Sequence, residues 1–148
     1  MKRLVFKWAL IITAGLITYF LVMKFFGLVH IIELRLLNGL IMLGGLFMLM
    51  RDLKKYPDFN YFKGLLPGIG TGILASTLFA VFSFIYLQFI NPEFMQSIRE
   101  NELLGNYLNK YLVALQIFIE GSASSFLFSY AVMQREKISK LKPDDARY

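Results

Sequence analysis

The sequence has no cysteine and only one histidine, His30, among its 148 residues. Without cysteine, the chain has no disulfide, no thiol nucleophile and no cysteine ligand for a metal. His30 and Glu33 are too few ligands for zinc, because even a catalytic zinc normally has about three protein ligands. A solvated loop is the favoured interpretation of this region, and we predict neither a metal site nor a cofactor.

Motifs of common enzymatic chemistry are also absent. The sequence contains no G-x-S-x-G elbow, P-loop, H-E-x-x-H or paired-carboxylate pattern. An intramembrane protease would need a Ser–His dyad or a pair of aspartates within its spans, and neither is present. We therefore predict that the protein has no catalytic residues and is not an enzyme.

Long apolar runs are what the sequence does have. Hydrophobic residues make up 57% of the chain, and four runs cover about residues 4–23, 34–50, 64–90 and 111–133. A helix that rises about 1.5 Å per residue needs about 20 apolar residues to cross a hydrocarbon core about 30 Å thick. The sequence thus predicts an all-α polytopic membrane protein, with residues 1–148 forming one domain of four transmembrane helices.

Basic residues are distributed unequally between the two sides of these spans. Twelve of the sixteen Lys and Arg residues lie before or at the start of the first span, between the second and third, or after the fourth, including the basic tail 134–148. Short cytoplasmic loops carry such an excess, which together with the even number of spans predicts that both termini are cytoplasmic. The net charge of +6 favours contact with anionic lipid over nucleic acid.

The first run has a rival interpretation as a signal peptide. Met1-Lys2-Arg3 would suit the charged start of such a peptide. The apolar stretch of about 20 residues is longer than the usual 7 to 15 or so, and residues 19–23 contain no small-x-small cleavage site. A retained transmembrane helix is the favoured interpretation.

The third span carries a stripe of small residues at every fourth position. Its members are Gly64, Gly68, Gly72, Ser76 and Ala80. Residues four apart share one helix face, and small-xxx-small faces let two helix backbones approach closely. Packing within the same chain is the favoured interpretation, with homodimerisation or docking onto another membrane protein as alternatives. We expect Pro67 in the first turn of this span, where proline is tolerated.

One acidic residue, Glu120, lies deep in the fourth predicted span. An acid at mid-membrane costs about 2.5 to 3.5 kcal/mol, so we expect Glu120 to face the bundle and to have a partner. Candidate polar neighbours are Ser122 and Ser124 on the same span, with Arg35 and Asn38 near the outer end of the second. A structural hydrogen bond between helices is favoured. A proton or solute site and pairing with another subunit stay open.

The segment between the third and fourth spans has an amphipathic pattern. Asn91-Pro92-Glu93 is typical of a helix start. Apolar residues then recur near helical spacing at Phe94, Ile98, Leu104, Tyr107 and Leu108. We predict a short amphipathic helix on the outer membrane surface. A lid or a docking surface is the functional alternative.

Two segments carry a family resemblance. Tyr61-Phe62-Lys63-Gly64-Leu65 leads into Gly68, Gly70 and Gly72, and the third span closes with Phe84-Ile85-Tyr86-Leu87-Gln88-Phe89-Ile90-Asn91-Pro92-Glu93-Phe94. The chain resembles a family of small four-span bacterial membrane proteins, frequent in Bacteroidetes and catalogued as a domain of unknown function. The resemblance covers most of the chain. It implies a bacterial inner membrane and supplies no catalytic residue or substrate.

These patterns lead to a function hypothesis and two alternatives. We predict a structural or accessory subunit that docks onto a larger inner-membrane complex through the small-residue face of the third span. The first alternative is a small oligomeric transporter or channel that uses Glu120, although the predicted spans contain no second acid and no histidine for a relay. The second is sensing of lipid or envelope stress.

Overall fold

The structure, a computed structural model, describes the backbone of residues 2–28, 32–57, 59–101 and 105–140, and the side chains in these ranges except 32–35, 101, 105 and 136–140. All regular structure in these ranges is helical. The α-helices are α1 (Lys2–Phe25), α2 (Ile32–Leu53), α3 (Tyr61–Ile85), α4 (Phe94–Asn101) and α5 (Lys110–Lys140). A π-helical segment, Tyr86–Ile90, continues α3, and a 3-10 turn, Gly105–Tyr107, follows α4.

Four of these helices are long and apolar enough to cross a membrane. Their candidate spans are Lys2–Phe25, Leu36–Leu53, Tyr61–Ile90 and Lys110–Arg135. Both ends of each candidate span lie within one helical turn of the ends of the corresponding predicted run. The prediction of an all-α chain with four long apolar helices is therefore confirmed for the described residues, whereas the cytoplasmic position of both termini stays a prediction.

The four long helices form an up-and-down bundle. α3 makes its most extensive contact with α5 and also packs against α1, while α2 closes the ring by contacting α1 and α5. α1 and α5 thus lie at opposite corners, and α2 and α3 meet across the centre. The bundle has an N-terminal end, where α1 and α3 begin and α2 and α5 end, and an opposite end that carries α4.

The centre of the bundle is filled mainly by aliphatic side chains of α1 and α2. Ile12, Leu46, Leu49 and Leu53 are almost completely buried. Ile12 reaches so close to α2 that a Cβ on Gly45 would lie 2.7 Å from its Cδ1. Because lipid is as apolar as these side chains, close van der Waals packing, rather than escape from water, holds the helices together.

Local signals set two helix ends. Gly27, with φ of 67°, ends α1 in a Schellman arrangement, in which Gly27 N–H donates to the Lys24 carbonyl and Leu28 N–H to the Met23 carbonyl. At the start of α3, Asn60 Oδ1 accepts from Lys63 N–H at 2.9 Å.

The Asn60 cap starts α3 at Tyr61, three residues before the predicted start of the third span. Pro67 therefore lies in the second helical turn, and its predicted place in the first turn is wrong. At this position it cannot donate the hydrogen bond that another residue would give to the carbonyl of residue 63.

A tryptophan joins α1 to α2 at the N-terminal end of the bundle. Trp8 Nε1 donates to Asp52 Oδ2 at 3.0 Å, and Lys55 Nζ contacts Asp52 Oδ1 at 2.8 Å. Trp8 is the single tryptophan of the chain. Its amphipathic ring suits the membrane–water boundary, where one side is apolar and the indole N–H needs an acceptor.

We expect the Trp8–Asp52 hydrogen bond to couple α1 and α2 energetically. In a double-mutant cycle with Trp8→Phe and Asp52→Ala, the two changes should show a coupling of about 1 kcal/mol in the free energy of unfolding. Circular dichroism during SDS titration of the detergent-solubilised protein measures each variant. Additive effects of the two substitutions would contradict this role.

Candidate functional site

The small-residue stripe of α3 lies against α5. All five of its members, Gly64, Gly68, Gly72, Ser76 and Ala80, are buried. Facing the first four are Met133, Ser129, Ser125 and Gly121 of α5, in that order. Each step of four residues along α3 is matched by a step of four in the reverse direction along α5, as two antiparallel helices in close contact require.

At Gly72 and Gly121 the two backbones approach so closely that no side chain larger than hydrogen fits. A Cβ on Gly72 would lie 3.2 Å from the Ser125 Cα and 2.9 Å from its Oγ. On the other helix, a Cβ on Gly121 would lie 2.7 Å from the Ser76 Cβ. Because Ser125 Cα belongs to the backbone, it cannot move away without moving α5.

This stripe is therefore occupied by the chain's own α5. The favoured interpretation, packing within one chain, describes the structure. A partner protein would have to displace α5 to reach the stripe, so docking through this face is incompatible with the folded bundle. The matching interval of four from Gly121 to Ser125 to Ser129 was visible in the sequence and could have identified α5 as the neighbour.

Glu120 lies on the outside of the bundle. Its side chain is exposed, and its Oε1 accepts a hydrogen bond from Gln116 Nε2 of the same helix at 2.7 Å. The expectation that Glu120 faces the bundle is therefore wrong. The reason is rotational, because Gly121 and Ser125 occupy the inward face of α5 and adjacent helical residues point about 100° apart.

The predicted polar neighbours of Glu120 occupy different environments. Asn38 Oδ1 and Ser122 Oγ are buried and make no hydrogen bond with any of the described residues, and Ser124 is half-buried. The side chain of Arg35 and the whole of His30 lie outside the described residues. The structure thus brings the small residues of α3 together with α5, but joins neither the Asn38 nor the Ser122 oxygen to Glu120.

Glu120 belongs to a row of outward-facing residues that we call the exposed stripe of α5. Intervals of four and three connect its members, which are all exposed except the half-buried Gln116: Leu112, Gln116, Glu120, Ala123, Leu127 and Tyr130. Only 17% of the most apolar 18-residue stretch of α5 is buried inside the bundle, which is the lowest share among the four long helices. The stripe combines a carboxyl, an amide and a small residue on a helix that otherwise suits lipid.

A cation and several aromatic rings tie α4 to the opposite end of the bundle. Lys24 Nζ donates to the Tyr86 hydroxyl and lies 4.4 Å from the Tyr86 ring centroid and 5.4 Å from that of Phe94. Phe20 packs edge-on against both rings. The apolar runs and the charge distribution did not predict a contact between Lys24 and these rings. Phe20 and Lys24 are four residues apart and thus share a face of α1, which was the available signal.

The predicted amphipathic segment is present in part. Asn91 Oδ1 accepts from Phe94 N–H at 3.1 Å, so α4 begins at Phe94. Tyr107 is exposed in the 3-10 turn, and Leu104 lies outside the described residues. Where side chains are described, no group of three or more His, Asp or Glu residues could hold a metal ion.

A bundle of long apolar helices with a lipid-compatible surface defines a small helical membrane protein. The chain belongs to the family described as "Protein of unknown function (DUF4199)", whose sequence profile matches residues 7–133. The match includes both segments on which the resemblance rested, and it confirms that resemblance. No curated protein and no solved structure matches the chain.

We expect Gly72→Ala to destabilise the bundle by about 1 to 3 kcal/mol, because the new Cβ forces α3 and α5 apart. Gly70→Ala is the matched control: it lies on the same helix, and its Cβ would meet nothing within 4 Å. The control should change stability by less than about 1 kcal/mol. SDS titration followed by circular dichroism gives both values. Equal stabilities of the Gly72→Ala and Gly70→Ala variants would show that the bundle does not need the close approach of α3 and α5.

Proposed function

We propose that the protein is a non-enzymatic accessory subunit of a larger assembly in the bacterial inner membrane, and that it docks through the exposed stripe of α5. The observation that carries this proposal is the outward position of Glu120 near the middle of an apolar helix. The proposed docking face is therefore the outer side of α5 and not the small-residue stripe of α3, which α5 covers.

The cost of an acid in lipid supports this choice. Acidic residues in membrane spans almost always face a bundle interior or an aqueous cavity, because exposure at the bilayer centre costs about 2.5 to 3.5 kcal/mol. The Gln116 amide offsets part of this cost through its hydrogen bond to Glu120. Since Gly121 and Ser125 already fill the inward face of α5, a helix of a second chain packed on the outer face would cover the exposed part of the Glu120 side chain.

The shape of the exposed stripe also suits a helix. Intervals of four and three place its members on a narrow seam of the kind that packs against another helix. Ala123, one turn beyond Glu120, leaves room for a neighbouring backbone. We expect the partner to present a hydrogen-bond donor at this depth, in a membrane-spanning helix.

Charge supports the orientation within the membrane. The exposed Lys2, Arg3 and Lys7 of α1 lie at the same end of the bundle as Arg51 and Lys54. Such an excess is typical of the cytoplasmic side. We propose that this end, with both termini, faces the cytoplasm and that α4 lies on the outer surface.

Cysteine labelling tests the orientation directly, because the natural chain has no cysteine. We expect a membrane-impermeant maleimide to label Gln96→Cys in α4 in intact spheroplasts. Tyr56→Cys, in the connection between α2 and α3, should react only after lysis. The natural chain is the unlabelled control. The reverse pattern would place the termini outside.

A partner test compares two alanines that are both exposed near mid-span. Ala123→Leu should reduce the stoichiometric partner recovered in mild detergent at least about tenfold, because the larger side chain separates the two helices by steric overlap. Ala14→Leu on α1 is the matched control and should leave recovery unchanged. Native mass measurement and subunit identification give the result, and unchanged unfolding of both variants excludes misfolding.

The partner test also distinguishes the accessory role from the alternative function as a transporter or channel. A different protein lost with Ala123→Leu supports the accessory role. Recovery of only a homo-oligomer favours the transporter or channel, which the same outward Glu120 would line, and proteoliposome flux abolished by Glu120→Gln would establish it. A chain that stays monomeric in the native membrane extract contradicts docking through α5.

A further inference from the structure

The first three turns of α1 form a shallow, open groove on the surface of the bundle, between two rows of side chains of the same helix. It is lined by Lys2, Arg3, Phe6, Lys7, Leu10 and Ile11. These residues form two ridges along the helix, because residues four apart stack on one face. One ridge is Lys2, Phe6 and Leu10, and the other is Arg3, Lys7 and Ile11.

Charge and apolar surface are separated along the groove. The three cations lie toward the start of α1, whereas Phe6, Leu10 and Ile11 continue toward mid-span, each of them about half exposed. The start of a helix is also the positive end of its dipole, which adds to the attraction for an anion. An amphiphile with an anionic head and an apolar tail matches this order of side chains.

Trp8 fixes the depth of the groove. It follows Lys7 directly, with Lys7 Nζ 5.7 Å from its ring centroid, and it donates its indole hydrogen bond to Asp52. Tryptophan settles at the headgroup level of a bilayer. The cations therefore lie at the depth of lipid phosphates, while the apolar part of the groove lies at the depth of acyl chains.

From this arrangement we infer that the groove on α1 binds one anionic phospholipid, with its phosphate on Lys2, Arg3 and Lys7 and an acyl chain along Phe6 and Leu10. The inference is independent of the docking surface on α5, since the two faces are on opposite corners of the bundle. Each cation near an anionic headgroup strengthens binding severalfold. Binding should thus discriminate strongly against lipids without net charge.

Native mass spectrometry of the delipidated protein in detergent, titrated with phosphatidylglycerol or phosphatidylcholine, tests this site. We expect one phosphatidylglycerol to bind at least about tenfold more tightly than phosphatidylcholine. Arg3→Gln with Lys7→Gln should weaken phosphatidylglycerol binding about tenfold or more. Arg51→Gln with Lys54→Gln is the control, because it removes the same charge at the same end of the bundle.

The apolar half of the groove is tested by Phe6→Ala, which changes no charge and should also weaken phosphatidylglycerol binding severalfold. If the Arg51→Gln and Lys54→Gln control loses as much phosphatidylglycerol affinity as the Arg3→Gln and Lys7→Gln variant, general electrostatic attraction explains the binding and the site is overturned. Equal affinity for both lipids, or full displacement of the lipid by millimolar inorganic phosphate, would overturn it as well. Thermal unfolding in lipid-free detergent should be the same for all variants, because every altered residue except Phe6 is a surface cation and Phe6 is exposed.

Discussion

The close approach of α3 and α5 is the constraint on which the rest of the molecule depends. Between apolar helices in lipid, association comes from van der Waals contact and weak Cα–H···O bonds, and both require the backbones to be near each other. Glycines and serines on both helices provide that approach. Because Gly121 and Ser125 are used for it, the rotation of α5 is fixed, and Glu120 is turned toward the outside.

The two ends of the bundle complement this central contact with polar bonds. At the N-terminal end, Trp8 donates to Asp52 and connects α1 with α2. At the opposite end, Lys24 connects α1 with Tyr86, and Lys110 Nζ donates to Gln88 Oε1 between α5 and the π-helical extension of α3. These bonds lie near the ends of the long helices, on either side of the mainly aliphatic centre. The exposed stripe of α5 and the groove on α1 are two of the surfaces that this packing leaves open to other molecules.

Much of the architecture could be predicted from the sequence, and the errors have physical causes. The early start of α3 reflects the Asn60 cap, a local hydrogen bond that an apolar run does not reveal. The direction of Glu120 was missed because α5 is apolar on nearly all sides, so hydropathy gives no preferred face. The spacing of Gly64, Gly68 and Gly72 correctly indicated close packing. The spacing on one helix does not, however, identify which other helix packs against it.

The sequence by itself determined the number and length of the helices, the uneven distribution of charge and the presence of a close-packing face, because each depends on composition or spacing within a single segment. The tertiary structure alone decided that α5 fills the stripe, that Lys24 lies over Tyr86, and that Glu120 faces outward. Those features depend on the rotation of each helix about its axis, which is set by the side chains of its neighbours.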